Sequence, residues 1–214
     1  MKSLIEYIRE SLAEADTSGK HAVMTFGRMN PPTAGHEKVV NKVHEIAKKY
    51  DAEHHVVLSG SHDTTPKEKK ANKNPLSPEA KGKHAKNAFP GTNVEVANKG
   101  ETMLHHAAKL HAAGVKHLHM VVGSDREKAT HDLLHQYNDV PSKHGHYNFK
   151  SITVHSSGER DPDEEGVAGI SASKMRAHAA NGNKDEFHKN LPSKMKPSHK
   201  DALYNELRKS MGHK

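Results

Sequence analysis

A glycine- and proline-rich segment could bind phosphate. It runs Phe26-Gly27-Arg28-Met29-Asn30-Pro31-Pro32-Thr33-Ala34-Gly35-His36 and follows a short apolar run. The prolines stiffen such a loop, and Gly35 lets a helix begin close to a ligand. A helix N-terminus offers unpaired N–H groups and the positive end of the helix dipole. We therefore expect His36 to project from a first helical turn toward phosphate, with Thr33 just before it. Taken alone, the segment is better explained as a proline-rich turn.

A second segment could also bind phosphate at the start of a helix. Gly169-Ile170-Ser171-Ala172-Ser173-Lys174-Met175-Arg176 follows the last apolar run and opens another helical pattern. Ser171 or Ser173 could cap that helix, and their hydroxyls could hold phosphate oxygens. Lys174 and Arg176 add positive charge, and the planar fork of arginine suits bidentate phosphate contacts. A capped helix with basic neighbours is common, so this segment is also weak evidence by itself.

Apolar runs and helical patterns alternate along the chain, which predicts a parallel sheet covered on both faces by helices. We expect an α/β, Rossmann-like fold with a short N-terminal helix over residues 3–14 and C-terminal helices. Ligands in such sheets bind at the carboxyl ends of the strands. The predicted strands cover residues 21–27, 54–59, 93–97, 117–122 and 149–155. The predicted helices cover residues 36–49, 78–88, 101–113, 125–136, 172–181 and 198–210.

The alternation suggests three parts: residues 1–19 as a helix and linker, 20–190 as the main domain, and 191–214 as a C-terminal helical segment. Two polar stretches interrupt the main domain. Residues 61–75 are lysine-rich, and residues 156–169 are acidic and glycine-rich. Polar loops of this length in a compact domain are often binding loops or lids.

Bulk composition excludes several classes of protein. The 214 residues carry a net charge of +7, which favours anionic partners. With no Trp and 4% aromatic residues, the chain lacks the stacking surface that single-stranded nucleic acids need, so we do not expect a nucleic-acid partner. Cysteine is absent, which fits a cytoplasmic protein. No stretch reaches the roughly 20 apolar residues of a membrane span. The composition leaves homo-oligomer formation open.

In their order along the chain, and in their places after predicted strands, the two segments resemble the signatures of the nucleotidylyltransferase superfamily. The first resembles its loop of the type Gly-x-Phe-x-Pro-x-Thr-x-Gly-His, and Ile170 to Arg176 resembles its Ile-Ser-x-Thr/Ser-x-x-Arg element. Gly123-Ser124-Asp125 is similar to the Gly-Ala-Asp element of nicotinamide mononucleotide adenylyltransferases. Residues 74–79 resemble their segment before a helix, although Lys81 stands where an arginine is often seen. The resemblance covers residues 21–182.

The resemblance implies a reaction and roles for residues. A phosphate of the substrate would attack the α-phosphorus of ATP in line and displace pyrophosphate, with Mg²⁺ bridging phosphate oxygens. His36 would donate to the α-phosphate, with Thr33 contacting the same region. The leaving pyrophosphate would be bound by Ser171, Ser173 and Arg176. Asp125 and Gly123 would hold ribose hydroxyls. Further nucleotide contacts would come from Phe26, Gly27, Arg28, Gly35 and Ile170. Lysines of the run 67–73 are better explained as a solvated loop.

The expected activity is transfer of AMP from ATP to a phosphorylated acceptor, with nicotinamide mononucleotide as the first choice and phosphopantetheine and other phosphorylated metabolites left open. The alternatives are a cytidylyltransferase acting on a phosphorylated alcohol and a non-catalytic nucleotide-binding protein. Thr33, in place of the first His of the cytidylyltransferase signature, favours adenylyl transfer. Many relatives stack the nicotinamide ring on Trp, which this chain lacks. Phe89, Tyr147 and Phe149 are candidates to replace it.

The 21 histidines raise the question of a metal site. His131 and His135 have helical i, i+4 spacing, but a third ligand is not evident. Other pairs are scattered over several predicted elements, so we expect surface histidines and no metal ligands. These pairs are His54-His55, His105-His106, His117/His119 and His144/His146.

The N-terminal stretch suggests a different class of partner. Residues 1–15 resemble the capsid-targeting leaders of internal head proteins in large tailed bacteriophages, which are cut after a Leu/Ile-x-Glu sequence. Leu12-Ala13-Glu14 fits that sequence. On this hypothesis the protein is packaged in a virion. An ordinary amphipathic helix explains the same residues and is the preferred interpretation.

Overall fold

A computed structural model describes residues 19–63, 73–158 and 171–213. Five strands alternate with helices along these residues. The strands are β1 (Lys20–Gly27), β2 (Glu53–Leu58), β3 (Val94–Val96), β4 (Val115–Val122) and β5 (Ser151–Ser156). The helices are α1 (Ala34–Lys49), α2 (Pro78–Ala88), α3 (Met103–Ala112), α4 (Glu127–Gln136), α5 (Ala172–Ala180), α6 (Lys184–Lys189) and α7 (Pro197–Ser210). A single 3₁₀ turn, Ser124–Arg126, precedes α4.

The strands form one parallel sheet in the order β3-β2-β1-β4-β5. The chain runs outward from β1 to β3 and then returns to place β4 beside β1 on the other side. The carboxyl ends of β1 and β4 are therefore neighbours whose connections leave in opposite directions. Such a reversal opens a crevice for ligands.

Side chains of β1 alternate between the two faces of the sheet. Ala22 and Met24 pack in a cluster with α3 and α4, whereas Val23 packs against α1. A further buried cluster joins α1 and β2 to the C-terminal helices, with Leu203 and Leu207 of α7 fully buried in it. The C-terminal helix thus shares a core with the sheet.

The predicted α/β fold, with a parallel sheet covered by helices, is confirmed. Helix α6 was not predicted, because six residues are too short to show helical periodicity. The predicted helix over residues 3–14 lies outside the described residues, as does most of the lysine-rich stretch. Within the described part of the chain, no helix is long and apolar enough to cross a membrane.

The prediction that the histidines lie on the surface is wrong for a cluster on the sheet. His119 of β4 is 3% exposed, and its Nε2 lies 3.0 Å from Nδ1 of His21 on β1. Its Nδ1 lies 3.1 Å from Nε2 of His155 on β5. Tyr50, at the end of α1, stacks on His119 with ring centroids 4.2 Å apart. Parallel register brings these residues together from three strands, which sequence spacing does not reveal.

Burial lowers the pKa of His119 to about 4, with further lowering from the neighbouring histidines. Because the folded pKa lies below the ordinary value near 6.5, this group stabilises the fold above about pH 6.5, and the stabilisation is lost as pH falls toward 4. The free energy of unfolding should therefore fall by roughly 2–3 kcal/mol over this pH range.

We predict that in His119→Gln the free energy of unfolding, measured in urea titrations, falls less steeply between pH 6.5 and 4.5 than in the wild type. The exposed His131→Gln should keep the wild-type slope, and an unchanged slope in His119→Gln would contradict the assignment.

Candidate functional site

A cavity of about 670 Å³ opens at the carboxyl ends of β1 and β4. That volume lies in the range of small-molecule sites. Ile170 lies outside the described residues, but every other residue predicted for catalysis or for binding the nucleotide lines this cavity. These residues are Phe26, Gly27, Arg28, Thr33, Gly35, His36, Gly123, Asp125, Ser171, Ser173 and Arg176. The structure therefore brings the segments 26–36, 123–125 and 171–176 together in one place.

His36 is held in a defined orientation by Thr33, the N-cap of α1. The Thr33 N–H donates to His36 Nδ1 over 3.1 Å, and the Thr33 hydroxyl oxygen accepts from the His36 N–H over 3.3 Å. This is a capping box in which histidine takes the place usually held by Glu or Gln. Since Nδ1 accepts a hydrogen bond, the proton of the neutral ring is on Nε2. His36 is thus prepared as a hydrogen-bond donor at Nε2.

Arg176 connects the two predicted phosphate-binding segments. Its Nη1 donates to the main-chain carbonyl of Asn30 over 2.7 Å, and its Nη2 donates to Ser173 Oγ over 2.9 Å. Ser171 caps α5, since its Oγ accepts from the Lys174 N–H over 3.1 Å. The guanidinium is therefore positioned by one bond to each segment at the cavity wall.

Asn30 was not predicted, yet it ties a third segment to the site. It is 1% exposed, its Nδ2 donates to the Leu76 carbonyl over 3.2 Å, and its Oδ1 accepts from the Leu76 N–H over 3.3 Å. Nearby, Asp63 Oδ2 accepts from the N–H groups of Lys73 and Asn74. These bonds hold the described ends of the lysine-rich stretch together and place Lys73 at the cavity.

Lys81 does not line the cavity. It is fully buried, and its ammonium group donates to the main-chain carbonyls of Ser59 and Ser61 in the turn after β2. Lys81 therefore fixes a neighbouring turn instead of facing the cavity. Burial, followed by the charge of Arg28, lowers the pKa of Lys81 to about 8.

The cavity is strongly basic. Among the described residues that line it, Asp125 is the only acidic one, against five with a lysine or arginine side chain: Arg28, Lys38, Lys73, Arg126 and Arg176. Burial and the nearby Arg28 also lower the pKa of Arg176. Like charges gathered at a partly buried wall repel one another, and a bound polyanion would relieve that repulsion.

Asp125 lies against Gly123 at the end of β4. A Cβ atom at Gly123 would come within 2.8 Å of Asp125 Oδ1, so only glycine leaves the carboxylate in this place. The carboxylate is half exposed, and its Oδ2 forms a long ion pair with Arg126 Nε over 3.9 Å. An exposed carboxylate above a glycine can accept hydrogen bonds from two adjacent hydroxyls.

The other half of the cavity is apolar and aromatic. The side chains that line it are Phe26, Met103, Leu104, Leu133, Tyr137 and His144. The prediction that Phe89, Tyr147 or Phe149 stacks on a ligand is wrong, because all three are at most 5% exposed and none lines the cavity. Met103 and Leu104 could have been found, since they follow the carboxyl end of β3. Tyr137 and His144 gave no sequence signal, because they lie in a polar connection between α4 and β5.

No three His, Cys, Asp or Glu side chains within residues 19–63, 73–158 and 171–213 are placed to hold a metal ion together. A scan of protein-family models finds none that matches the chain, and a search of curated proteins finds no similar sequence. The site is therefore judged on its geometry and on its two signature-like segments.

Gly27 offers a direct test of the cavity as a nucleotide site. It lines the cavity, and apart from its two neighbours in the chain, none of the described residues has an atom within 4 Å of a Cβ placed there. We predict that Gly27→Val folds normally but weakens ATP binding at least about tenfold, since overfilling a packed site costs roughly 1–3 kcal/mol. Calorimetric titration measures the affinity, and the thermal unfolding midpoint serves as the control. Unchanged ATP affinity with an unchanged midpoint would place the nucleotide elsewhere.

Proposed function

We propose that this protein is a nucleotidylyltransferase that transfers AMP from ATP to a small phosphorylated acceptor and releases pyrophosphate. The observation that carries the proposal is the arrangement of donors at one cavity. His36 is fixed as an Nε2–H donor on one side, and Arg176 is bonded to both signature-like segments on the other. These groups suit a reaction in which negative charge shifts between phosphate groups.

The triphosphate would lie between these donors. An oxygen of the acceptor phosphate attacks the α-phosphorus, and the bond from that phosphorus to the bridging oxygen of the β-phosphate breaks. Pyrophosphate leaves on the side opposite the attack, and no covalent intermediate with the protein is needed. Catalysis of this kind depends on positioning and charge neutralisation more than on proton transfer.

The position of each of these side chains in the cavity is consistent with contact to one part of ATP. The His36 Nε2–H donates to the non-bridging oxygens of the α-phosphate, and Thr33 keeps the ring in that orientation. Arg176, with Ser171 and Ser173 at the start of α5, binds the β- and γ-phosphates and the leaving pyrophosphate. Asp125 accepts from ribose hydroxyls.

Magnesium fits this cavity as an ion bound by the triphosphate and by water, because Asp125 is the only carboxylate that the described residues place at its wall. When bound, it would neutralise charge on the phosphate oxygens. The protein side chains would contribute orientation and further positive charge.

The apolar half of the cavity suits the base or ring of the acceptor. Tyr137 and Phe26 provide aromatic surface there in the absence of Trp. A flat, positively charged pyridine ring would gain from contact with an aromatic face. Nicotinamide mononucleotide therefore remains the first acceptor to test.

Replacing His36 should separate catalysis from binding. We predict that His36→Gln lowers turnover about 10²-fold or more while ATP affinity stays close to that of the wild type, because the donor acts mainly in the transition state. Glutamine keeps the capping acceptor at this position of the helix, so the loss cannot be assigned to a missing cap. Pyrophosphate release and calorimetry give the two quantities.

His44, on the same helix, is the matched control. Its Nε2 lies 3.1 Å from the Thr92 hydroxyl, and it does not line the cavity. His44→Ala should keep wild-type turnover. Wild-type turnover in His36→Gln would remove His36 from the mechanism and would favour a protein that binds nucleotide without reacting it.

A further inference from the structure

The first turn of α1 is hydrogen-bonded to the connection between α6 and α7. The Ala34 N–H, the first of the helix, donates to the Asn190 carbonyl over 3.0 Å. The Ser193 N–H donates to both carboxylate oxygens of Glu37, over 3.2 and 3.0 Å, and the Ser193 hydroxyl donates to Glu37 Oε1 over 2.7 Å. Since His36 lies between Ala34 and Glu37, the connection binds α1 both before and after the proposed donor.

The connection between α6 and α7 is itself fixed by the core. Asn190 is buried, and its Nδ2 donates to the Glu186 carbonyl of α6 over 2.7 Å. Leu191 and Met195 are buried in the cluster that also contains Leu203 of α7. Moving the connection would expose this apolar surface to water, which costs free energy. The connection is therefore a rigid support for the first turn of α1.

The same C-terminal helices also support α5. Nη1 of Arg208, on α7, donates to the Ala179 carbonyl in the last turn of α5 over 2.5 Å. A cation at this end of a helix also interacts favourably with the helix dipole. Met175 and Ala179 of α5 pack in the same buried cluster as Leu203 and Leu207 of α7. Helices α6 and α7 thus hold α1 and α5 in one relative position.

Helices α1 and α5 carry the groups assigned to two neighbouring parts of the triphosphate. His36, in the first turn of α1, is the proposed donor to the α-phosphate, and Ser173 and Arg176 of α5 are proposed to bind the leaving pyrophosphate. The distance between these groups depends on how the two helices are held. An in-line transfer is sensitive to small displacements of its donors.

We propose that Glu37 is a positioning residue of the reaction: by binding Ser193, it holds the first turn of α1, and with it His36, at a fixed distance from α5. Glu37 is not among the residues that line the cavity, so it acts through His36 and not by touching the substrate. Its hydrogen bonds are charge-assisted, which makes them stronger than bonds between neutral groups. This inference rests on the proposed function, since it gives Glu37 a part in that reaction.

The test measures pyrophosphate release by four full-length proteins: the wild type, Glu37→Ala, His36→Gln and the double variant. We expect Glu37→Ala to lower kcat about tenfold with little change in the KM for ATP, because the misplaced donor acts mainly in the transition state. In the His36→Gln background, Glu37→Ala should cause no further loss, because the imidazole through which it acts is already absent. A general structural role of Glu37 would lower turnover equally in both backgrounds.

Glu45 is the matched control on the same helix. Its Oε1 accepts from the Lys42 ammonium over 2.7 Å, and it is not among the residues that line the cavity. Glu45→Ala should keep wild-type turnover. The thermal unfolding midpoint of each variant shows whether it is folded at the assay temperature.

The ring resonances of His36 in nuclear magnetic resonance spectra give a readout that needs no turnover. They should shift in Glu37→Ala, whereas those of His44, further along α1, should stay in place. Wild-type turnover in Glu37→Ala, equal losses in both backgrounds, or unmoved His36 resonances would overturn the inference. If His36→Gln still loses turnover, the proposed function stands without it. If the wild type releases no pyrophosphate with any acceptor, the proposed function fails, and the His36 resonances alone decide whether Glu37 orients that ring.

Discussion

The hydrogen bond from the Arg176 guanidinium to the Asn30 carbonyl is the contact on which the site depends. Asn30 and Arg176 are separated by 146 residues in the chain, and sheet order brings their segments together at the carboxyl ends of β1 and β4. The side chain of Asn30 extends the connection to Leu76, and Ser173 extends it along α5. Two loops and the first turns of α5 are thereby held in one relative position. A reaction that depends on positioning needs this kind of rigidity.

The same region brings positively charged side chains together, and their charged forms are destabilised there. The pKa of Arg176 is lowered by burial and by Arg28, and the pKa of Lys81 is lowered for the same two reasons. Both shifts show that the charged forms of these side chains are less stable here than in water. A triphosphate in the cavity would offset the repulsion between Arg28 and Arg176. The positive charge of the cavity and its hydrogen-bond donors therefore both favour a ligand with several phosphate groups.

Local patterns predicted the sheet, the helices around it and the polar half of the site, because each depends on short-range signals. The prolines and glycines before α1 and the serines before α5 determine helix starts, and parallel strands bring such starts to one edge. The apolar half of the cavity could not be predicted in this way. Tyr137 reaches the cavity at the end of α4, and His144 lies beside Gly145, which packs on α3 through a contact between distant residues. The buried histidines were missed for the same reason, since strand register sets their contacts.

Acceptor-dependent release of pyrophosphate is the most direct test of the central claim. The assay combines the full-length protein with ATP or CTP, Mg²⁺ and a set of phosphorylated acceptors that includes nicotinamide mononucleotide and phosphopantetheine. We predict release that requires ATP together with one acceptor, and a product in which that acceptor carries AMP. Release with CTP instead would move the assignment to cytidylyl transfer. Nucleotide binding without release for any pair would contradict the claim that this site is a nucleotidylyltransferase centre.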